Sequence, residues 1–162
     1  MFILYMTIIE LSPNTLQSRK TNKLDNMIYS SFKKLEEHPK LKHTKQEIYK
    51  LLNSRNVKLY LYILNNKISG YLLGEIMKLS DGRNVFFITY LYTAVRHRNK
   101  GIASLLLDIV DKFVDDNELS GIMLITDTED IKVFDWYLKK GFMQDNYLRN
   151  YERYDVMFKG SY

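Results

Sequence analysis

From Ile102 onward, apolar side chains return at Leu105, Leu106, Ile109, Val110 and Phe113, which is the spacing of a helix with one buried stripe. The short apolar run "GIMLIT" that follows reads as a buried strand. Upstream, "VKLYLYILNNKISGYLLGEIMK" carries two runs rich in Tyr, Ile and Leu on either side of Asn65 and Asn66, a hairpin signal although the usual glycine is missing. A further strand, "NVFFITYLYTAV", follows the "SDGR" turn at Ser80 to Arg83.

Helical spacing also appears in "TNKLDNMIYSSFKKLEEH", through Leu24, Met27, Ile28 and Phe32, and in "TKQEIYKLLNS", through Ile48, Leu51 and Leu52, with Pro39 between the two. "DIKVFDWYLKKGF" predicts a helix with acid at its start, two lysines at its end and Gly141 as its stop. "MFILYMTIIEL" reads as a strand with an exposed leading end, and "YLRNYERYDVMFKG" as one or two more strands. The expected order is β-α-α-β-β-β-α-β-α-β-β, a single α+β domain over residues 1–162 with no linker, repeat or low-complexity tract to divide it.

A chain of 162 residues can bury roughly 70% of its unfolded surface, so a core is within reach without covalent staples. The absence of cysteine excludes disulfides, thiolate zinc sites and a cysteine nucleophile, and predicts an intracellular, cytoplasmic protein. The apolar start lacks a basic leading region and a cleavage site, and is far shorter than the ~20 residues of a membrane helix, so no membrane partner is expected. A net charge of +5 and a pI near 9.2 favour anionic partners, whether nucleic acid or a polyphosphate. Base gathers between Arg19 and Lys58, and acid in the second half at Asp115, Asp116, Glu118, Asp127, Glu129 and Asp130.

The stretch "VRHRNKGIASLLL" at residues 95–107 sets a basic turn against the start of the leucine-rich helix. An exposed first helical turn presents unpaired N–H groups and the positive end of the helix dipole, which together attract anions. Gly101 leaves the backbone approachable, Ala103 is the next smallest choice, and Arg96, His97, Arg98 and Lys100 add positive charge. An ordinary basic turn before a leucine helix accounts for the same residues. Neither GxxxxGK[ST] nor GxGxxG occurs.

"Arg98-Asn99-Lys100-Gly101-Ile102-Ala103" resembles the Q/R-x-x-G-x-G/A signature of the GNAT superfamily of acyl-CoA-dependent N-acyltransferases, and "WYLKKGF" at Trp136 to Phe142 is similar to the family's "FYEKLGF" ending. The resemblance covers roughly Val85 to Phe142. It implies a mixed, mostly antiparallel sheet flanked by helices, and an N-acetyltransferase that uses acetyl-CoA as acyl donor and a small-molecule or protein amine as acceptor.

By position, the resemblance places the cofactor pyrophosphate on the amides of Asn99, Lys100, Gly101, Ile102, Ala103 and Ser104, with Arg98 bracing the loop. It places the pantetheine arm along the backbone of Leu91, Tyr92 and Thr93. Tyr137 stands where the family has the tyrosine that protonates the departing thiolate, although one of 13 tyrosines on a helix face also suits core packing. Asp130 replaces an asparagine that contacts the cofactor, and can also cap its helix.

The family's glutamate near the end of the fifth strand is Ile125 here, so the general base stays open among Glu75, Tyr90, Asp127, Glu129 and water. His38, His43 and His97 carry no metal signature, and no metal is expected. The acidic group Asp127, Glu129 and Asp130 would suit a cationic acceptor such as a basic peptide or polyamine, and serves equally as a solvated loop with a helix cap. Two alternatives stand beside the enzyme: an inactive acyl-CoA-binding regulatory module, and a basic nucleic-acid-binding protein without a recognisable motif. A homodimer through an exposed sheet edge is the assembly that the apolar start and tyrosine-rich end suggest.

Overall fold

The computed structural model describes residues 6–11, 24–31, 44–149 and 153–162. Its elements are β1 (Met6–Leu11), α1 (Leu24–Ser31), α2 (Lys45–Leu52), β2 (Val57–Leu64), β3 (Lys67–Lys78), β4 (Asn84–Thr93), α3 (Ile102–Asp116), β5 (Gly121–Asp127), α4 (Ile131–Lys139), β6 (Met143–Gln144) and β7 (Tyr154–Gly160), which is the predicted order. The leading apolar end, Phe32, Pro39, His38 and His43 lie outside the described residues.

Asn65 and Asn66 turn the β2–β3 hairpin with φ of 50° and 60°, so two asparagines do the work that Asn-Gly usually does. The strands form one sheet in the order β1-β2-β3-β4-β5-β7-β6. Every neighbouring pair is antiparallel except β4 and β5, which run parallel because α3 carries the chain back across the sheet.

Helices cover both faces. On one, Ile102, Leu106, Leu107, Val110 and Val114 of α3 and Tyr137 of α4 share a core with Leu72, Phe86, Ile88, Leu124 and Met157. On the other, Ile28 of α1 and Ile48 and Leu52 of α2 pack with Leu59, Leu61, Tyr71, Leu73 and Tyr90. A capping box of Thr44 and Glu47 starts α2, satisfying a free amide in each direction. No helix among the described residues is long and apolar enough to cross a membrane.

The tail differs from the expectation. "YLRNYERYDVMFKG" supplies one strand, β7, while its partner β6 begins earlier and is two residues long. Asp145 ends β6: its carboxylate accepts the amides of Tyr147 and Leu148, an Asx-type turn that draws the chain out of the sheet. The same carboxylate, fully buried, takes both Nη atoms of Arg83 at 2.6 and 3.1 Å.

The feature that shapes the site is a fork. β4 and β5 pair only from Val85↔Gly121 to Ile88↔Leu124. At that point β4 carries an extra residue: Gly74 of β3 pairs with Ile88 and Leu73 with Tyr90, leaving Thr89 unmatched. A bulge of this kind bends and twists its strand. Beyond it β4 stays with β3 as far as Thr93, β5 stays with β7 as far as Asp127, and the sheet opens between them.

Candidate functional site

The basic turn at residues 95–101 closes the open end of β4. Its backbone winds through a short 3-10 segment at Val95–His97, then through Asn99 at φ 60° and Gly101 at φ 79°, two left-handed residues on either side of Lys100. Asparagine tolerates that conformation, and glycine adopts it freely. A Cβ built on Gly101 would meet no atom within 4 Å, so the glycine is here for its backbone angle and for the open space in front of it.

α3 starts directly from Gly101 with no side-chain cap. Its first bond within the helix runs from the Leu105 N–H to the Gly101 carbonyl, so the amides of Ile102, Ala103 and Ser104 come before any i−4 acceptor in the helix. Arg98 Nε donates to the Thr93 carbonyl at 3.2 Å and ties the turn to the end of β4. Gly70 on β3 seats the helix, since a Cβ there would lie 2.7 Å from Ile102 Cγ2 and 3.0 Å from the Tyr92 carbonyl oxygen.

Arg96, Arg98 and Lys100 are exposed around the turn. His97 stands among them, its Nε2 accepting from Arg96 Nε at 3.0 Å, which makes Nδ1 the protonated nitrogen of a neutral ring. Partial burial, then the charges of Arg96 and Lys100, hold its imidazole below the usual histidine range. The Nδ1 atom and the Thr93 hydroxyl are buried and find no hydrogen-bond partner among the described residues.

Tyr137 is 9% exposed and shares its core with Ile88, Leu124 and Ile102, so it stands in the layer beneath both the point of the fork and the start of α3. Trp136 and Phe142 pack edge-on to its ring. Burial pushes its hydroxyl well above the ordinary phenol range, so it holds its proton at neutral pH. Leu91 packs on the same side, and Tyr92 lies on the opposite one, stacked on Tyr71. The backbone of Leu91, Tyr92 and Thr93 faces the fork, and no strand among the described residues pairs with that edge.

Asp130 is the N-cap of α4, accepting the Val133 amide at 3.3 Å. The acidic group around it is less open to a cation than the sequence suggested. Arg153 donates from Nε and Nη2 to Asp127 at 3.0 and 2.7 Å, and reaches Glu129 with Nη1 at 3.2 Å. Thr128 fastens the same residue by donating twice to its carbonyl. Among the other base candidates, Tyr90 is buried and its phenol is pushed well above the usual range by burial and then by the Glu47 charge, whereas Glu75 is half-buried opposite Phe87.

Three participants are absent from the sequence reading. Thr89 makes the fork, but the residues of β4 are apolar toward both faces and hide the extra position. Arg153 lay in a stretch read only as strand. Gly70 was legible in principle, because a glycine inside a strand often marks a close approach.

A forked sheet with an uncapped, basic strand-turn-helix at its mouth offers open backbone amides and positive charge to an anionic group. Residues 23–142 match the Acetyltransferase (GNAT) family, and the chain belongs to that family. No curated protein sequence matches the chain.

Among solved structures, Ard1 from Thermoplasma volcanium is 19% identical over 97% of this chain and 98% of its own, with a TM-score of 0.69. Arabidopsis thaliana NAA60, crystallised with acetyl-CoA, is 14% identical over 95% of this chain and 97% of its own, with a TM-score of 0.66. An aminoglycoside acetyltransferase from an uncultured soil metagenomic sample is 22% identical over 87% of this chain and 93% of its own, with a TM-score of 0.65. At these identities the likeness is one of fold.

Proposed function

We propose that the protein transfers an acetyl group from acetyl-CoA to a primary amine, with both substrates bound at once. The observation that carries this reading is the left-handed turn at Gly101, open in front and uncapped, set at the mouth of the fork. The amides from Asn99 to Ser104 hold the pyrophosphate, Arg98 keeps them in place through Thr93, and the backbone of Leu91 to Thr93, beyond the last β4–β5 pair, bonds the pantetheine arm. A structural neighbour crystallised with acetyl-CoA supports that choice of donor.

Acetyl-CoA supplies the thioester carbonyl: the amine lone pair attacks it, the C–N bond forms and the C–S bond breaks. Tyr137 gives its phenolic proton to the leaving sulfur, a role for which its neutral, buried hydroxyl is suited. The proton lost by the amine goes to water or Glu75. Asp127 and Glu129 are engaged by Arg153, and Tyr90 is too weak an acid to stand as phenolate. Positioning supplies much of the rate, since holding two reactants in line can remove roughly 7–11 kcal/mol of barrier. No feature of the described residues favours the inactive-module or nucleic-acid alternative.

Isothermal titration with acetyl-CoA tests the reading. The wild type should bind, and Gly101→Glu, which forces a side chain into the open space and strains the turn, should abolish binding while leaving the circular dichroism spectrum intact. A wild type that binds no acetyl-CoA overturns the proposal.

A further inference from the structure

Ile125 is an anomaly of burial. It lies on β5 in the middle of the sheet, between Leu124 and Thr126, which are 2% and 5% exposed, yet it is itself 44% exposed. Strand alternation turns Leu124 toward the core under α3 and α4, and Ile125 toward the face that α1 and α2 cover. Among the described residues that cover leaves a gap here. The α1–α2 cluster lies over β1 to β4, and a separate cluster of Val85, Met123 and Phe158, with Leu148 packed on it, covers the lower part of β5 and β7. Ile125 is the first residue of β5 beyond the last β4–β5 pair, so the gap opens at the fork.

The surroundings define what fits. Val156 is directly opposite Ile125, and Tyr154 opposite Asp127, both half-buried. On the other bank, Tyr90 and Tyr92 turn to the same side of the sheet. The nearby carboxylates of Asp127 and Glu129 share the guanidinium of Arg153, which offsets part of their charge before any polycation arrives. An apolar floor with its nearest carboxylates already engaged favours an uncharged, apolar guest.

We infer that Ile125 is the floor of the acceptor seat, and that the acceptor is a primary amine carried on an uncharged, apolar frame whose side chain rests on it. This inference rests on the acetyltransferase reading. It replaces the preference for a cationic acceptor that the bare count of acidic residues suggested. Ile125 acts as a specificity residue and takes no part in the proton transfers.

The test compares acetylation of leucinamide with that of spermidine and kanamycin by the wild type, Ile125→Ala and Ile125→Glu, after titration has established acetyl-CoA binding for each. Wild type should favour leucinamide in kcat/KM. Ile125→Ala should raise the leucinamide KM roughly ten-fold with little change in kcat, about what one trimmed apolar contact is worth. Ile125→Glu should weaken leucinamide further and improve the two polycations, and both variants should keep wild-type affinity for acetyl-CoA.

Loss of acetyl-CoA binding by the wild type would bring down the acetyltransferase reading and this inference with it. Intact binding overturns the inference alone if a polycation is preferred, if the variants leave the ranking of acceptors unchanged, or if leucinamide is neither acetylated nor bound by the CoA complex.

Discussion

His97 and Tyr137 are both neutral at physiological pH, for different reasons and with different measurable consequences. The imidazole sits below its ordinary range, so as pH falls the unfolded chain takes up this proton before the folded one. The histidine's share of stability is therefore complete above about pH 6.5 and is lost as pH falls through the folded value. A phosphate brought to the turn reverses the sign of the local field and draws the proton in. Acetyl-CoA binding near pH 6 should accordingly take up protons, seen as a difference in apparent enthalpy between two buffers of unlike ionisation enthalpy. Equal enthalpies would contradict this, and His97→Gln should remove the difference. Tyr137→Phe should lower kcat by about 10²-fold or more while acetyl-CoA affinity stays unchanged, because only the proton is removed and the ring keeps its packing. At this scale the sequence was informative where backbone geometry needs a particular residue. Gly101 and Asn99 are small or polar because the turn is left-handed. It was silent where a side chain is recruited from far along the chain, as Arg153 is by Asp127.

Among the elements, the short strand β6 ends against a network centred on Arg83. Arg83 spans Asp81 and Asp145 and lies against the rings of Phe158, Tyr162 and Tyr147, so the turn before β4 and the segment after β6 are fixed to each other through one guanidinium. Burial alone would raise the Asp145 carboxyl, but the Arg83 bonds and the amides of Leu148 and Tyr147 outweigh it and hold it below the usual carboxylate range. Its stabilisation is thus present above the unfolded carboxylate range and lost as pH falls through the folded value. Asp145→Ala should cost about 1–3 kcal/mol in urea unfolding, since it leaves the Tyr147 and Leu148 amides unpaired and Arg83 held by Asp81 alone, and its cost together with Arg83→Met should be less than the sum of the two single changes. The helices were legible from periodicity because each buries one side, and the strands from their apolar, β-branched and aromatic runs. From β2 to β5 the strands pack on both faces, so their residues do not alternate and the bulge at Thr89 leaves no trace in the pattern.

For the whole molecule, element order followed from the sequence, but the sheet order did not, since pairing β5 with β7 and setting β6 at the edge depend on contacts between distant segments. Among the described residues the backbone ladder joins the two arms of the sheet by four pairs, Val85 to Ile88, backed by the helical layer and by Arg83 at the closed end. A ligand that binds the folded fork stabilises the molecule as a whole. Acetyl-CoA at a hundred times its Kd should add about 2.7 kcal/mol, and raise Tm by roughly 5–10 °C for a domain of this size. Hydrogen exchange should slow on the β4 bank and its turn, at residues 91–93 and 99–104. A fork held open by one surplus residue also sets tidiness against usefulness. The same strands, zipped to their ends, would satisfy more backbone groups and yield a sturdier object. Selection for heat resistance alone, applied without a catalytic assay, would reward any change that shuts the gap, and the hardiest descendants of this sequence would be the ones with no room left for a substrate.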